Sequence, residues 1–295
     1  MTTTTTKKDE VIVGLDCGRR DYVISPELVQ MYADAVEDHN PWYSGPSPFG
    51  GAVAPALIRH SEVFVDRRWY LPNIYGNLHA KQEWELFAPI MVGELLWTHS
   101  FVTERYTKRG RDYVVNEVLY LGAEGQVYAR GRTHQSFVGE GANNGTVVGK
   151  DREKEAGRRF EVGTGAALET LTPVNKEITL TMCQRYSGPG KNYHTDREEA
   201  QKLGFPDVVV QGMLSVCFLS ELLTRRFGEG WYRGGKMSVN LVNVLWPGDK
   251  VTTHGRIKEV TPEGSRQRAH IEIWCQKTDG TVVTVGSASA VIPAQ

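Results

Sequence analysis

Leu28, Met31, Tyr32 and Ala35 recur at intervals of three and four residues, which places them on one face of a helix. Ser25-Pro26-Glu27 supplies an N-cap, a proline at the first helical position and an early acid, so the helix should begin there and run into the loop at Asp38. Pro55 to Val65 reads as a second helical stretch, and its aromatic continuation from Val63 to Tyr70, with Trp42, Tyr43 and Trp231, could line an apolar pocket. After Pro72-Asn73 and Gly76-Asn77 the period changes. Leu78 to Phe87, Leu95 to Tyr106, Tyr113 to Leu121 and Val127 to Phe137 read as strands, with hairpin turns at Lys108-Arg109-Gly110 and Ala123-Glu124-Gly125.

The second half repeats this order. An apolar helix is expected from Met213 to Phe227, followed by strands near Lys236 to Val244, Lys250 to Val260, Gln267 to Gln276 and Thr281 to Val291. Aligning Val92-Gly93-Glu94 with Pro247-Gly248-Asp249 sets a shift of 155 residues, which also brings Thr98-His99 onto Thr253-His254 and Gly125 onto Gly280. The chain therefore reads as a tandem duplication. The expected organisation is a disordered tail over 1–10, a first unit over 11–149, a linker over 150–167 and a second unit over 168–295, the linker being rich in Gly, Lys and Glu.

Composition narrows the function class. Lys plus Arg number 34 against 35 Asp plus Glu, a net charge of -1, so no general attraction to nucleic acid or anionic lipid is expected. The four cysteines, Cys17, Cys183, Cys217 and Cys275, form no C-x-x-C pair and read as buried thiols of a reducing compartment. The amino terminus has no apolar stretch to serve as signal or anchor, and a cytoplasmic location is expected.

Chemistry concentrates in two polar loops. Tyr186-Ser187-Gly188-Pro189-Gly190-Lys191-Asn192-Tyr193-His194-Thr195-Asp196 precedes the β-branched run Val208-Val209-Val210, which breaks at Gln211-Gly212 into the apolar helix. A histidine titrates near working pH, and a helix start offers unpaired N–H groups and positive partial charge to an oxyanion. Gly212 could equally be required for close packing, Gln211 could be a donor or a cap, and Asp196 should cap the helix from Arg197 to Leu203. The diverged counterpart in the first half is Glu37-Asp38-His39-Asn40-Pro41-Trp42-Tyr43, and Asp followed by Asn-Pro is also a common turn. Arg225-Arg226, Arg233 and Lys236 are candidate phosphate contacts, though the helix dipole alone favours cations there. His99, His254 and His270 fall on expected strands and need no functional explanation.

These residues resemble the MaoC-like acyl dehydratase and R-specific enoyl-CoA hydratase family over nearly the whole chain. That family's signature is Asp-x-Asn-Pro-x-His, then an Ala, then an apolar strand ending in His-Gly at a helix start. The first half keeps Asp38, Asn40 and Pro41 but has Tyr43 in place of the His; the second keeps His194, Asp196, Ala200 and Gly212 but has Pro189, Lys191 and Gln211 at the Asp, Asn and His positions.

The resemblance implies an α+β double hotdog, two tandem units each with a long helix wrapped by an antiparallel sheet. It implies a hydratase or dehydratase of a CoA- or carrier-bound acyl thioester, with no metal or redox cofactor. His194, Asn192 and Gly212 are then the catalytic candidates, and Gln211, Tyr186, Ser187, Asp38, Asn40 and Tyr43 the substrate-binding ones. With no Asp at Pro189, Asn192, Ser187 or Tyr186 is expected to orient His194. A hotdog acyl-CoA thioesterase and a non-catalytic thioester-binding subunit of a dehydratase complex are the alternatives. A homodimer is compatible with either.

Overall fold

The computed structural model describes residues 10–72, 77–138 and 160–292; residues 1–9 of the expected tail and most of the expected linker lie outside them. In chain order the first unit contains β1 (Asp16–Val23), α1 (Pro26–Val36), β2 (Leu78–Leu86), β3 (Leu95–Lys108), β4 (Arg111–Gly122) and β5 (Val127–Val138). The second contains β6 (Glu169–Thr170), β7 (Val174–Glu177), α2 (Leu180–Tyr186), α3 (Arg197–Lys202), α4 (Met213–Phe227), α5 (Glu229–Tyr232), β8 (Lys236–Leu241), β9 (Lys250–Glu263), β10 (Arg266–Lys277) and β11 (Val282–Ile292).

The strands form one antiparallel sheet of 11, ordered β1-β3-β4-β5-β2-β8-β11-β10-β9-β6 with β7 also on β9. Its two halves join where β2 pairs with β8, from Lys81 opposite Asn240 to Glu85 opposite Lys236. These two strands are near-equivalents under the 155-residue shift, so the junction has approximate two-fold character. Gly93 and Gly248 adopt φ of 91° and 92° at matching turns, a backbone state that favours glycine. Thr98 and Thr253 are both buried. The duplication seen in the sequence is thus present in three dimensions.

Local rules account for the helix starts. Ser25 Oγ accepts from Leu28 N at 3.2 Å at the head of α1, Thr179 Oγ1 accepts from Met182 N at 3.0 Å at α2, and Asp196 Oδ1 accepts from Glu199 N at 3.1 Å at α3. Helix α4 is the centre of the fold. All of its residues except Arg225 and Arg226 are buried, as expected of a helix surrounded on every side.

The expected helix over Pro55 to Val65, with its continuation to Tyr70, is not formed. That stretch is a succession of turns with a single 3₁₀ segment, Glu62–Phe64, so among the described residues only the second unit carries a long wrapped helix. Glu62 explains the difference. Its carboxylate, fully enclosed, accepts from Tyr22 Oη at 2.7 Å, Thr98 Oγ1 at 3.1 Å, Arg20 at 3.1 Å and Arg59 at 2.5 Å. These donors, two of them from strands of the sheet, fix the stretch in its turn-rich path. Asp66 adds a local turn by accepting from Arg68 N at 2.8 Å, in competition with helical bonding. β1, β7 and α2 were not anticipated from the sequence; they are short or edge elements whose apolar alternation is weak.

A buried ion pair ties the units together behind α4. Lys176 Nζ on β7 lies 3.0 Å from Glu221 Oε2 on α4, with side-chain exposures of 5% and 2%, and donates to the Glu37 carbonyl at 2.7 Å. Removing Lys176 leaves the enclosed Glu221 with only the largely exposed Arg225, 2.5 Å away, as a charge partner. Lys176→Ala is expected to destabilise the protein by about 3 kcal/mol in urea denaturation, and Lys176→Met with Glu221→Leu to recover most of the loss.

Candidate active site

The polar loop between α2 and α3 folds around Asn192. Its Oδ1 accepts from His194 N at 2.8 Å, and Thr195 Oγ1 accepts from Asn192 N at 3.0 Å. This fixes the loop so that the His194 ring lies against Tyr193, centroids 3.9 Å apart, and its Nδ1 meets the Val209 carbonyl at 2.6 Å. A carbonyl can only accept, so Nδ1 carries the proton and Nε2 keeps a free lone pair. The carbonyl of the strand-like run therefore does the orienting that was expected of Asn192, Ser187 or Tyr186. Burial, the main cause, and the nearby Arg67 charge pull the His194 pKa down to about 4, against the opposing pull of the Val209 bond.

Tyr186 does not reach His194. Its ring stacks on His60 at 4.3 Å and its hydroxyl meets Cys217 Sγ at 3.2 Å on the inner face of α4. Ser187 Oγ is buried without a hydrogen-bond partner.

Three residues beyond Val209 the chain enters α4. No side chain caps this start, although the Leu214 amide already donates to the Gln211 carbonyl at 2.9 Å. A Cβ at Gly212 would lie 2.2 Å from Leu241 Cδ2 and 3.9 Å from His79 Nδ1. Close packing against Leu241 thus already accounts for glycine at this position. Gln211 Oε1 accepts from Ser61 Oγ at 3.1 Å, so the turn-rich stretch of the first unit lies along the entrance to α4. Tyr70, its ring 5.5 Å from Phe137, belongs to the same wall.

The first-unit motif lies elsewhere. Asp38 Oδ2 accepts from Tyr43 Oη at 2.6 Å, and Asn40 Oδ1 caps the Pro41–Tyr43 turn through Trp42 N at 3.0 Å. Burial raises the Asp38 pKa, while Tyr43, Lys176 and Arg225 pull the other way. Its neighbours Glu221 and Arg225 are nine and thirteen residues into α4 from Gly212, roughly 14–20 Å along the axis at the α-helical rise. Gln211 and Gly212 stand at the head of α4 and His194 is tied to Val209 just before them in the chain, whereas Asp38, Asn40 and Tyr43 form a separate cluster.

The basic residues proposed for phosphate contact are also at this far end and already engaged. Arg225 pairs with Glu221 at 2.5 Å, Arg226 with Glu169 at 2.6 Å and Lys236 with Glu85 at 4.0 Å, and Arg233 sits over the Phe49 ring at 5.2 Å. Arg67 is exposed and close enough for its charge to act on His194, a cation that sequence reading passed over. Trp69 and Trp231, expected to line a pocket, are fully buried and donate to Val63 O and Ser220 Oγ. His99 bonds Asp16 and His270 bonds Thr261, both at 2.9 Å, while His254 stacks on Trp274. All four cysteines are free and buried.

Among the described residues no helix is long and apolar enough to cross a membrane. Residues 171–274 match the family model for a MaoC like domain, and residues 11–132 match the model for a FAS1-like dehydratase domain region. No curated protein matches the chain. Among solved structures, a MaoC-like dehydratase from Phytophthora capsici superimposes with a TM-score of 0.70 at 17% identity, covering 97% of this chain and 99% of that one. The full-length peroxisomal multifunctional enzyme type 2 of Drosophila melanogaster gives 0.65 at 15% identity, covering 92% of this chain and 48% of that one. A Mycobacterium tuberculosis protein described as having a double hotdog fold gives 0.60 at 11% identity, covering 96% of each chain. A stretch matching a FAS1-like dehydratase domain region is thus followed by one matching a MaoC like domain, and the two join in one continuous sheet with the double hotdog fold.

Proposed function

We propose that the protein adds water to, or removes it from, an acyl thioester carried by CoA or an acyl-carrier protein, at the site formed by His194 and the start of α4. The observation that carries this reading is the orientation of His194. Its Nδ1 proton is committed to the carbonyl of Val209, three residues before the uncapped start of α4 in the chain, which leaves Nε2 as the unprotonated nitrogen.

In the hydration direction His194 Nε2 takes a proton from water as the water oxygen bonds to the β-carbon. The π electrons move towards the α-carbon and the thioester oxygen, where amides at the α4 start stabilise the enolate charge. The proton held on His194 then passes to the α-carbon. Atoms and charge balance with one general acid/base, so the loss of an aspartate at Pro189 does not remove the chemistry. Gln211 and Asn192 act as supports, one at the mouth of the helix and one within the loop. Asp38, Asn40 and Tyr43 take a structural role in this reading.

Turnover of a short panel of trans-2-enoyl-CoA esters tests it, following loss of enoyl absorbance together with release of free thiol. Absorbance should fall without thiol release; thiol release would instead mark a thioesterase. His194→Ala should lower kcat by about 100-fold or more, the usual range for loss of a general acid/base. Because the base must be neutral and its pKa is held at about 4, kcat/KM should stay level from pH 7 down to about 5 and then decline, rather than decline near the ordinary histidine value of about 6.5.

The same shift has a consequence for stability. A histidine with a lowered folded pKa binds more protons when unfolded. His60, His79 and His194, at about 3, 4 and 4, each contribute stability above their unfolded pKa that is lost as pH falls through it towards the folded value. The melting temperature is expected to drop between pH 7 and pH 4, and less so in His60→Phe.

A further inference from the structure

The outward face of the first unit's sheet carries a line of titratable side chains that the α4 site does not use. On β2 the residues Gln82, Trp84 and Leu86 are buried, while Glu83 alternates with them and faces outwards. Glu83 stands opposite Arg132 of β5, and Lys81 stands opposite His134, so all four share that face. Tyr106, near the end of β3, stands opposite Tyr113 of β4, and their rings stack with centroids 4.8 Å apart. Tyr106 Oη meets His134 Nδ1 at 3.2 Å, and His134 Nε2 meets Glu83 Oε2 at 3.2 Å. Carboxylate, imidazole and phenol are thus joined in one line across four strands.

Glu83 sets its direction. The His134 bond first, and then Lys81, pull the Glu83 pKa down to about 2 against the effect of burial. An ionised carboxylate only accepts, so His134 Nε2 carries the ring proton, Nδ1 is the acceptor, and the phenol donates to it. This is the order in which an oriented imidazole takes the proton of a hydroxyl nucleophile. The imidazole is 7% exposed, whereas Tyr106 is exposed, so the base is shielded and the nucleophile is open to solvent. Burial, followed by Tyr113, Glu104 and Glu83, raises the Tyr106 pKa. Attack by this phenol therefore requires proton transfer to His134 in the same step. Charge selects the electrophile. The nearby cations are committed, Arg132 to Glu83, Glu104 and Glu117 and Lys81 to Glu83, and the carboxylates repel a phosphoryl group. An uncharged acyl carbon meets no such barrier.

We infer that Tyr106 is a second reactive centre of this protein, an acyl acceptor with His134 as its general base and Glu83 as the residue that positions His134. The donor is an activated ester of an uncharged acyl group. The phenol oxygen bonds to the carbonyl carbon while its proton passes to His134 Nδ1. The C–O bond to the leaving alcohol then breaks, and His134 returns the proton to that oxygen. The products are an O-acyl tyrosine and the free alcohol. This chemistry is independent of hydration at α4, so either can fail without the other.

The probe is p-nitrophenyl acetate with the full chain. The wild type should release a rapid burst of about one nitrophenol per chain, and peptide mass mapping should place the acetyl group on Tyr106 in preference to its stacked neighbour Tyr113. Tyr106→Phe should abolish the burst, and Tyr113→Phe should leave its rate within about twofold. His134→Gln should slow it by about tenfold or more. Glu83→Ala should also slow it, and Glu83→Gln, which keeps an acceptor for Nε2–H, should restore part of the rate. Thermal melts identify the variants that fold, and the comparison of Tyr106 with Tyr113 needs no variant. Acetylation of Tyr106 no faster than that of Tyr113, or a Tyr106 rate unmoved in folded His134→Gln, overturns the inference.

Discussion

Everything in this fold depends on burying α4 on all sides. A helix whose residues are nearly all enclosed needs a continuous apolar surround, and the antiparallel sheet supplies it by joining β2 of one unit to β8 of the other. The head of the helix must then pass so close to Leu241 that only glycine fits at 212. No side chain caps that terminus, and an uncapped terminus in a largely dry surround is a strong place to stabilise developing negative charge. Under the proposed hydration, the packing requirement and the chemical one fall on the same residue.

The two units have diverged in what they do with charge. Where the second unit buries a helix, the first buries Glu62 with four hydrogen-bond donors and winds the surrounding chain into turns. Those turns bring Ser61 to Gln211 and Arg67 towards His194. Likewise Asp38, which keeps the family position, lies in the buried network of Tyr43, Lys176, Glu221 and Arg225 at the far end of α4. Its carboxylate is bonded to a tyrosine hydroxyl and has Lys176 and Arg225 of the second unit as neighbouring cations.

His194 shows how a diverged site can retain a defined tautomer. A backbone carbonyl is as directional an acceptor as a carboxylate but brings no charge, so it fixes the ring without raising its basicity to the same extent. Burial then dominates and holds the imidazole neutral.

The sequence by itself determined the elements whose signals are local. The caps at Ser25 and Asp196, the alternation of β2 to β5 and β8 to β11, the apolar run of α4 and the 155-residue repeat are all carried by short-range spacing, and they suffice for the duplicated α+β plan and for His194 and Gly212 as the residues to watch. The tertiary structure decided what depends on partners distant in the chain. Glu62 breaks a stretch whose apolar spacing suggests a helix, because its donors come from residues 20, 22, 59 and 98. Tyr186, adjacent to the histidine loop in sequence, turns away to His60 and Cys217. His79 turns inward only because β2 bulges against β5, and it meets Gly212 across more than a hundred residues. Periodicity records which face a side chain occupies; it holds no record of which buried charge must be satisfied or which strand must shift register, and those are settled only when the whole sheet closes around α4.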